Sequence, residues 1–350
     1  MKNRNINPSV EIIFGKIKRI DLQKFDISDH TKEYLKKYAE NHSFYESVYS
    51  QLLQKAIRIL NRPVKESTFI DYGGGCGILS LIAKEAGFRT VVYNDIYDKS
   101  VIDAGLISKT LDLEADHYFC GDLDELINEL KLHRIDPDLI CSFDVLEHIY
   151  DLSDWLRSLS VADSFSLLFM SGANPVNPFI VRRLKKIHKI AEYHGSNKNI
   201  RIKDDFLNTS FLKQREIIIR ERFPDLSKKD VNMLAKETRG RRKNDIEEIV
   251  INCIKTGIIN YKMSHPTNTC DPYTGSWAEK LIDLKQIRSL LNELNMTCKI
   301  TNSFYSYSGK GFPDAIKYIL NQIIKLSGPE NLFLSPIITL EIQKHISKNP

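Results

Sequence analysis

The chain has 350 residues, 42% hydrophobic and 27% charged, with a formal net charge of +5, which is ordinary for a globular protein of one or two domains with a large core. No window approaches eighteen consecutive apolar residues, so a spanning helix is excluded, and the polar start MKNRNINPSVEIIFGKIKRIDLQ has no room for the apolar run of a signal peptide. The six cysteines (Cys76, Cys120, Cys141, Cys253, Cys270 and Cys298) contain no CxxC pair and read as reduced thiols of a cytoplasmic protein, not as a disulfide or zinc framework.

Along the chain, residues 1–66 have a helical, aromatic character. Tyr34 and Tyr38, then Tyr45 and Tyr49, recur at four-residue spacing and share helix faces. Two readings stay open for these rings: packing of an N-terminal helical layer, or lining of a ligand pocket. From Ser67 short apolar runs alternate with amphipathic segments. The pattern predicts strands at 68–71, 90–94, 117–120, 138–142 and 166–170, with helices at 78–85, 100–111, 123–132 and 153–160. Such alternation makes βαβ units and a parallel sheet covered on both faces. It stops after residue 172 and resumes near Ser276 with helix 284–293, strand 298–304, helix 313–326 and strand 336–342. The expected architecture is therefore one discontinuous α/β domain, residues 67–172 and 276–345, interrupted by a helical insertion at 173–275. Charge marks that insertion. Residues 173–260 carry 20 Lys/Arg against 11 Asp/Glu, a local +9 that leaves −4 for the remainder.

The stretch FIDYGGGCGILS packs Gly73, Gly74, Gly75 and Gly77 directly after the first strand. Ligands of open parallel sheets bind beyond the carboxyl ends of the strands, and a glycine turn there lets a ligand approach the backbone. A dinucleotide fingerprint counted from Gly73 meets Ile78 at its third glycine, and counted from Gly75 it meets Ser80; no Gly-Lys-Ser/Thr follows, so a P-loop is excluded too. What remains is Gly73-x-Gly75-x-Gly77 preceded by Asp71.

Apolar-apolar-Asp-x-Gly-x-Gly-x-Gly resembles motif I of class I S-adenosylmethionine-dependent methyltransferases. Asp95 ends VVYNDIY, where that family places an acid on the ribose hydroxyls. Gly121-Asp122-Leu123 matches the stretch at the adenine edge, and Phe143 in DLICSFDVLEHI falls where the family contacts the cofactor. The resemblance implies a Rossmann-like, doubly wound, seven-stranded and mostly parallel sheet closed by an antiparallel hairpin, and S-adenosylmethionine as methyl donor. Its cofactor residues would be Asp71, Gly73, Gly75, Gly77, Asp95, Ile96, Asp122, Leu123 and Phe143. Asp71 also has a local reading as a turn-forming acid, and Asp122 as a helix cap.

The segment Asp144-Val-Leu-Glu147-His148 is similar to that of ubiquinone-biosynthesis O-methyltransferases and of small-RNA 3′-end ribose methyltransferases. It implies Asp144, Glu147 and His148 as catalytic residues, either with a divalent metal on them or with His148 as a metal-free base; a structural role for Glu147 and His148 is the third reading. The first acid is Asp, where those families carry Glu. Asn174, His265, Tyr273 and Trp277 are candidate substrate contacts, the last three in SHPTNTCDPYTGSW, with a hydrogen-bonded connector as the alternative.

The basic runs RRLKK (182–186) and RGRRK (239–243) favour an anionic acceptor. The expected function is methyl transfer to a hydroxyl or amine of a small, anionic metabolite, with the insertion as a substrate lid. RNA is the second candidate acceptor, through ribose 2′-O-methylation, although no RRM, KH or zinc-knuckle pattern is present and the aromatics are not interleaved with the arginines. A catalytically silent scaffold of the same fold is the third reading. Oligomeric state and pathway have no signature in the sequence.

Overall fold

The computed structural model describes residues 6–160, 165–195, 209–263, 265–306 and 312–344. Three helices open the chain: α1 (Pro8–Ile17), α2 (Asp29–Glu40) and α3 (His42–Ile59). The sheet region follows with β1 (Thr68–Tyr72), α4 (Ile78–Glu85), β2 (Thr90–Asp95), α5 (Asp98–Thr110), β3 (His117–Cys120) and α6 (Leu123–Leu132). It continues through β4 (Leu139–Phe143), α7 (Leu152–Leu159) and β5 (Phe165–Ser171). Helices α8 (Pro178–Tyr193), α9 (Phe211–Arg222), α10 (Lys228–Glu237) and α11 (Lys243–Thr256) interrupt the alternation. The chain then returns with α12 (Leu284–Glu293), β6 (Thr297–Asn302), α13 (Phe312–Leu326) and β7 (Ile338–Lys344).

Seven strands form one sheet in the order β3-β2-β1-β4-β5-β7-β6. The pairs β1/β2, β2/β3, β1/β4 and β4/β5 are parallel, and β7 runs antiparallel to both β5 and β6. This is the doubly wound, mostly parallel α/β sheet with a closing antiparallel hairpin. Strands β4 (LICSF) and β5 (FSLLFMS) are near-continuous apolar runs because both faces of a parallel sheet are covered. Strand order reverses between β1 and β4, so the carboxyl ends of β1, β2 and β4 form the switch point where ligands of such sheets bind.

The chain divides into two units. The first comprises residues 1–145, 153–171 and 285–350, and the second 146–152 and 172–284. In the first unit the N-terminal helices share the main core: Phe14, Leu52, Leu53 and Ala56 are buried in the same cluster as Phe69, Leu81, Ile82 and Val91. The tyrosines of α2 and α3 belong to this packing. Tyr38 and Tyr49 meet hydroxyl to hydroxyl at 3.2 Å, and the Tyr49 ring meets Phe143 edge-on at 5.7 Å between centroids. Asp103 of α5 anchors the N-terminal layer, since its carboxylate accepts from the backbone and hydroxyl of Ser28, the α2 N-cap, and from Thr31 Oγ1.

In the second unit, Ile218, Ile219, Val231, Leu234, Ile246 and Val250 from α9, α10 and α11 make a separate core. Beside it lies a buried ion pair. Arg215 Nη2 meets Glu192 Oε1 at 2.6 Å, Arg215 Nε donates to the Ala235 carbonyl, and Thr269 Oγ1 donates to Glu192 Oε2. Residues 147–150 are held by backbone bonds to the stretch 277–280: Lys280 N–H to the Glu147 carbonyl and Trp277 N–H to that of His148.

A buried charge stripped of its partner costs about 3–5 kcal/mol. Arg215→Ala is therefore expected to lower stability by roughly that amount and to expose residues 172–284 to limited proteolysis before the sheet unit. A thermal midpoint and cleavage pattern identical to wild type would contradict this.

Candidate active site

The turn after β1 is built from four glycines that face different surroundings. Gly73, Gly75 and Gly77 adopt φ of +67°, +54° and +74°, values that L side chains rarely take. A Cβ on Gly73 would meet Val145 at 2.8 Å, and one on Gly77 would meet Ala104 at 3.1 Å. Gly74, which stands outside the Gly-x-Gly-x-Gly pattern, is the most tightly packed: a Cβ there would lie 2.5 Å from the Tyr93 ring and 2.8 Å from Asp71. Only Gly75 has nothing within 4 Å of its would-be Cβ among the three glycines of the pattern. The turn thus presents open space at Gly75 and packed protein behind the others.

Two strand-end acids hold this turn. Asp71 of β1 is buried, and its Oδ2 accepts from the backbone N–H and the hydroxyl of Ser80 at 2.9 and 2.8 Å. Ser80 is the third residue of α4, whose N-cap, Gly77, brings no capping side chain. Asp71 therefore caps α4 from the preceding strand, which favours its local reading. Burial pushes its carboxyl up to about 7 against the pull of the Ser80 bonds. Asp95 ends β2; its Oδ2 accepts from Gly75 N–H at 2.9 Å and its Oδ1 from Tyr97 N–H at 3.0 Å. A carboxylate has about four acceptor positions, so roughly two on Asp95 stay open to a hydroxyl-bearing ligand.

Tyr93 completes the support, its hydroxyl donating to the Gly75 carbonyl at 2.7 Å. Sequence reasoning missed this residue. The signal was its position two residues before Asp95, which places both side chains on one face of β2. Asp122 is the N-cap of α6 in a reciprocal capping box with Glu125, a role the sequence left open against adenine contact. Leu123 is buried, and Ile96 is 60% exposed beyond the end of β2. Phe143 packs on Tyr49 at the end of β4.

Asp144 follows with φ of +54°, unusual for a non-glycine residue, and its N–H donates to the Met170 carbonyl at 2.9 Å. Burial first, and then the Asp144 carboxylate, push the Tyr45 hydroxyl up to about 12. Tyr45, one of the rings for which lining of a ligand pocket stayed open, keeps its proton at neutral pH.

Glu147 and His148 belong to the second unit. Glu147 is fully buried, and His148 Nδ1 lies 2.8 Å from the Trp277 carbonyl. A carbonyl only accepts, so Nδ1 carries the proton and Nε2 of the neutral ring is left as the acceptor. Trp277 itself is occupied: its Nε1 donates to the Tyr150 carbonyl, its ring stacks on Tyr150 at 6.0 Å, and Lys280 lies 4.3 Å over it. Asn174 is fully buried, and its Oδ1 accepts from Val176 N–H in a local turn. His265 Nδ1 accepts from Thr267 N–H, and burial, then Lys185 and Arg239, hold its ring below the usual histidine value. Tyr273 presents a half-exposed ring on a turn fixed by Asp271. Among the described residues no group of three or more His, Cys, Asp or Glu is gathered to hold a metal ion, and Asp144, Glu147 and His148 are not such a set.

The two basic runs differ. Arg182, Arg183, Lys185, Lys186 and Lys189 are exposed along α8. In RGRRK, by contrast, Arg239 Nε donates to the Asn268 carbonyl, Arg241 lies 4.1 Å over Tyr261, and Arg242 lies 4.9 Å over Tyr150. The arginines that stand apart from aromatics in the sequence are paired with them in space.

Residues 42–170 match the family model described as a methyltransferase domain. A comparison with curated proteins gave no match. Among solved structures, the chain is similar to the plantazolicin methyltransferase BpumL in complex with SAH, with 12% identity over 95% of this chain and 99% of that one and a TM-score of 0.42. It is similar to an S-adenosylmethionine-dependent methyltransferase from Archaeoglobus fulgidus, with 12% identity over 89% and 99% and a TM-score of 0.40. It also resembles the YcgJ protein from Bacillus subtilis, with 17% identity over 41% and 59% and a TM-score of 0.30.

The raised Asp71 carboxyl has a consequence for stability. In the unfolded chain it titrates near ~4, so between about pH 4 and 7 the folded state holds a proton that the unfolded state has lost. Stability then falls as pH rises through that window, by up to about 1.4 kcal/mol per unit. Asp71→Asn is expected to flatten this fall in denaturant midpoints measured from acid to neutral pH. An equally steep profile in the variant would contradict it.

Proposed function

We propose that the chain, whose residues 42–170 match a methyltransferase domain, is a class I, S-adenosylmethionine-dependent methyltransferase that methylates a hydroxyl or amine on a small, anionic metabolite. The observation that carries the cofactor half is the pairing of Asp95, with open acceptor positions, with the unobstructed face of Gly75. That arrangement fits a ribose with two hydroxyls beside a backbone that must be approached closely. When bound, S-adenosylmethionine supplies a methyl group on a sulfonium for a single in-line displacement.

The protein's contribution is to hold the turn rigid, exclude water with the aromatic layer of α2 and α3, and accept the proton that the acceptor loses. His148 is the proposed base, supported by the tautomer its Nδ1 bond imposes. This reading assigns His148 the metal-free role, since among the described residues no His, Cys, Asp and Glu group is gathered as a ligand set. The reading of the acceptor as anionic rests on the exposed cations of α8. The residues proposed to meet the acceptor are Tyr273 and His265, and the second unit is proposed as the substrate-binding element. The free state of all six cysteines supports a reducing, cytoplasmic setting.

Cell extract incubated with the protein and methyl-labelled S-adenosylmethionine is expected to give a labelled small product retained by an anion exchanger. Label confined to RNA, with a steep salt dependence of binding to a short RNA, would replace this reading with ribose methylation. His148→Asn preserves the donor to Trp277 and removes the base. It is expected to lower kcat by about 10²–10⁴ with S-adenosylhomocysteine affinity intact; an unchanged kcat would remove His148 from the chemistry.

A further inference from the structure

Helix α13 is docked by its polar side. Its buried residues are Asp314, Asn321 and Ile324. Asn321 Oδ1 accepts from the Tyr305 N–H at 2.7 Å and its Nδ2 donates to the Tyr305 carbonyl at 2.8 Å, while Asp314 pairs with Lys317 at 3.1 Å. Facing outward are Phe312, Ile316, Ile319, Ile323 and Leu326, which are 78, 45, 57, 45 and 87% exposed. A surface helix ordinarily turns its apolar stripe to the core. This one turns it to solvent, and contiguous exposed apolar side chains mark an interaction site.

The spacing identifies the kind of partner. The five residues are separated by four, three, four and three positions, the a/d seam of a heptad repeat. With Ile316 and Ile323 at a, and Phe312, Ile319 and Leu326 at d, the buried Asp314 and Asn321 both fall at f, opposite the seam. A seam of this period fits another helix. The flanking e and g positions, Pro313, Ala315, Leu320 and Gln322, are all uncharged, so two identical seams brought together meet no like-charge repulsion. Lys317 and Lys325 are the only basic residues of the helix, too few for the cationic face of a helix that lies on a membrane.

We infer that α13 pairs with α13 of a second copy of this chain to form a twofold dimer. Identical self-complementary patches close as an isologous pair, leaving no free seam to propagate a filament. The 15-residue helix is about 22 Å long, and a seam of two heptads covers less than the roughly 800 Å² per partner of a standard interface. The dimer is accordingly weak and concentration-dependent. It does not depend on the identity of the methyl acceptor or on the catalytic role of any residue.

Sedimentation equilibrium of the full chain from low micromolar to near-millimolar protein tests this. The mass is expected to rise from one chain toward two. Ile319→Glu and, separately, Ile323→Glu are expected to weaken association at least about tenfold, with unchanged circular dichroism and S-adenosylhomocysteine binding, while Lys325→Glu at a c position leaves it intact. A one-chain mass at every concentration overturns the inference. So does a dimer that both seam variants leave as tight as wild type.

Discussion

The turn between β1 and α4 has to bend through left-handed backbone beneath buried aromatic and acidic side chains without leaving a polar group stranded, and the rest of the site depends on how that is met. Asp71 takes the backbone and hydroxyl donors of Ser80, Asp95 takes the Gly75 N–H, and Tyr93 donates to the Gly75 carbonyl. Two acids and one phenol from adjacent parallel strands thus clamp a segment with almost no side chains of its own. In a buried setting each unmet partner costs on the order of 1–3 kcal/mol, so the clamp specifies one loop conformation. That rigidity is what a donor-binding site needs, because a misplaced reacting centre loses the advantage of alignment.

Division of the chain falls inside DVLEH. Asp144 and Val145 belong to the sheet unit, where Val145 backs Gly73, whereas Glu147 and His148 are bonded to the 277–280 stretch of the second unit. The second unit orders this segment through a ring stack. Arg242 lies on Tyr150, Tyr150 on Trp277, and Lys280 over Trp277. Cations held over aromatic faces contribute attraction while keeping their hydrogen-bond donors usable. Part of the positive charge of RGRRK therefore serves packing within the second unit, while cations of α8 and others such as Lys213, Lys228, Lys229 and Lys243 are exposed.

The sheet was legible because period and punctuation agreed. Helices 78–85, 123–132 and 284–293 and strand 117–120 stand where the pattern predicts them, and the antiparallel β6/β7 hairpin is the one the resemblance implied. The glycine motif was legible as a motif but not in its division of labour. Sequence spacing selects Gly73, Gly75 and Gly77, yet the closest packing is under Gly74, because what fills the space is Tyr93 from the neighbouring strand. The same limit applies to Asp71 and Asp122, whose partners Ser80 and Glu125 are local and were readable as caps, and to Trp277, whose ring is spent on Tyr150. Long-range pairs such as Arg215 with Glu192 leave no spacing signature at all, since α8 and α9 are brought together only by folding.

The most direct test is calorimetric titration with S-adenosylhomocysteine of the wild type and of Gly75→Val, the one position of the glycine pattern where a side chain meets open space rather than protein. The substitution strains a left-handed residue by about 1–2 kcal/mol, and its Cβ meets no protein atom within 4 Å, so the variant is expected to remain folded. Saturable binding by the wild type, lost or weakened at least about a hundredfold in Gly75→Val with its thermal unfolding still cooperative, is the predicted result. Equal affinity in both proteins, or no binding by the wild type, would contradict the assignment of this turn as the donor site.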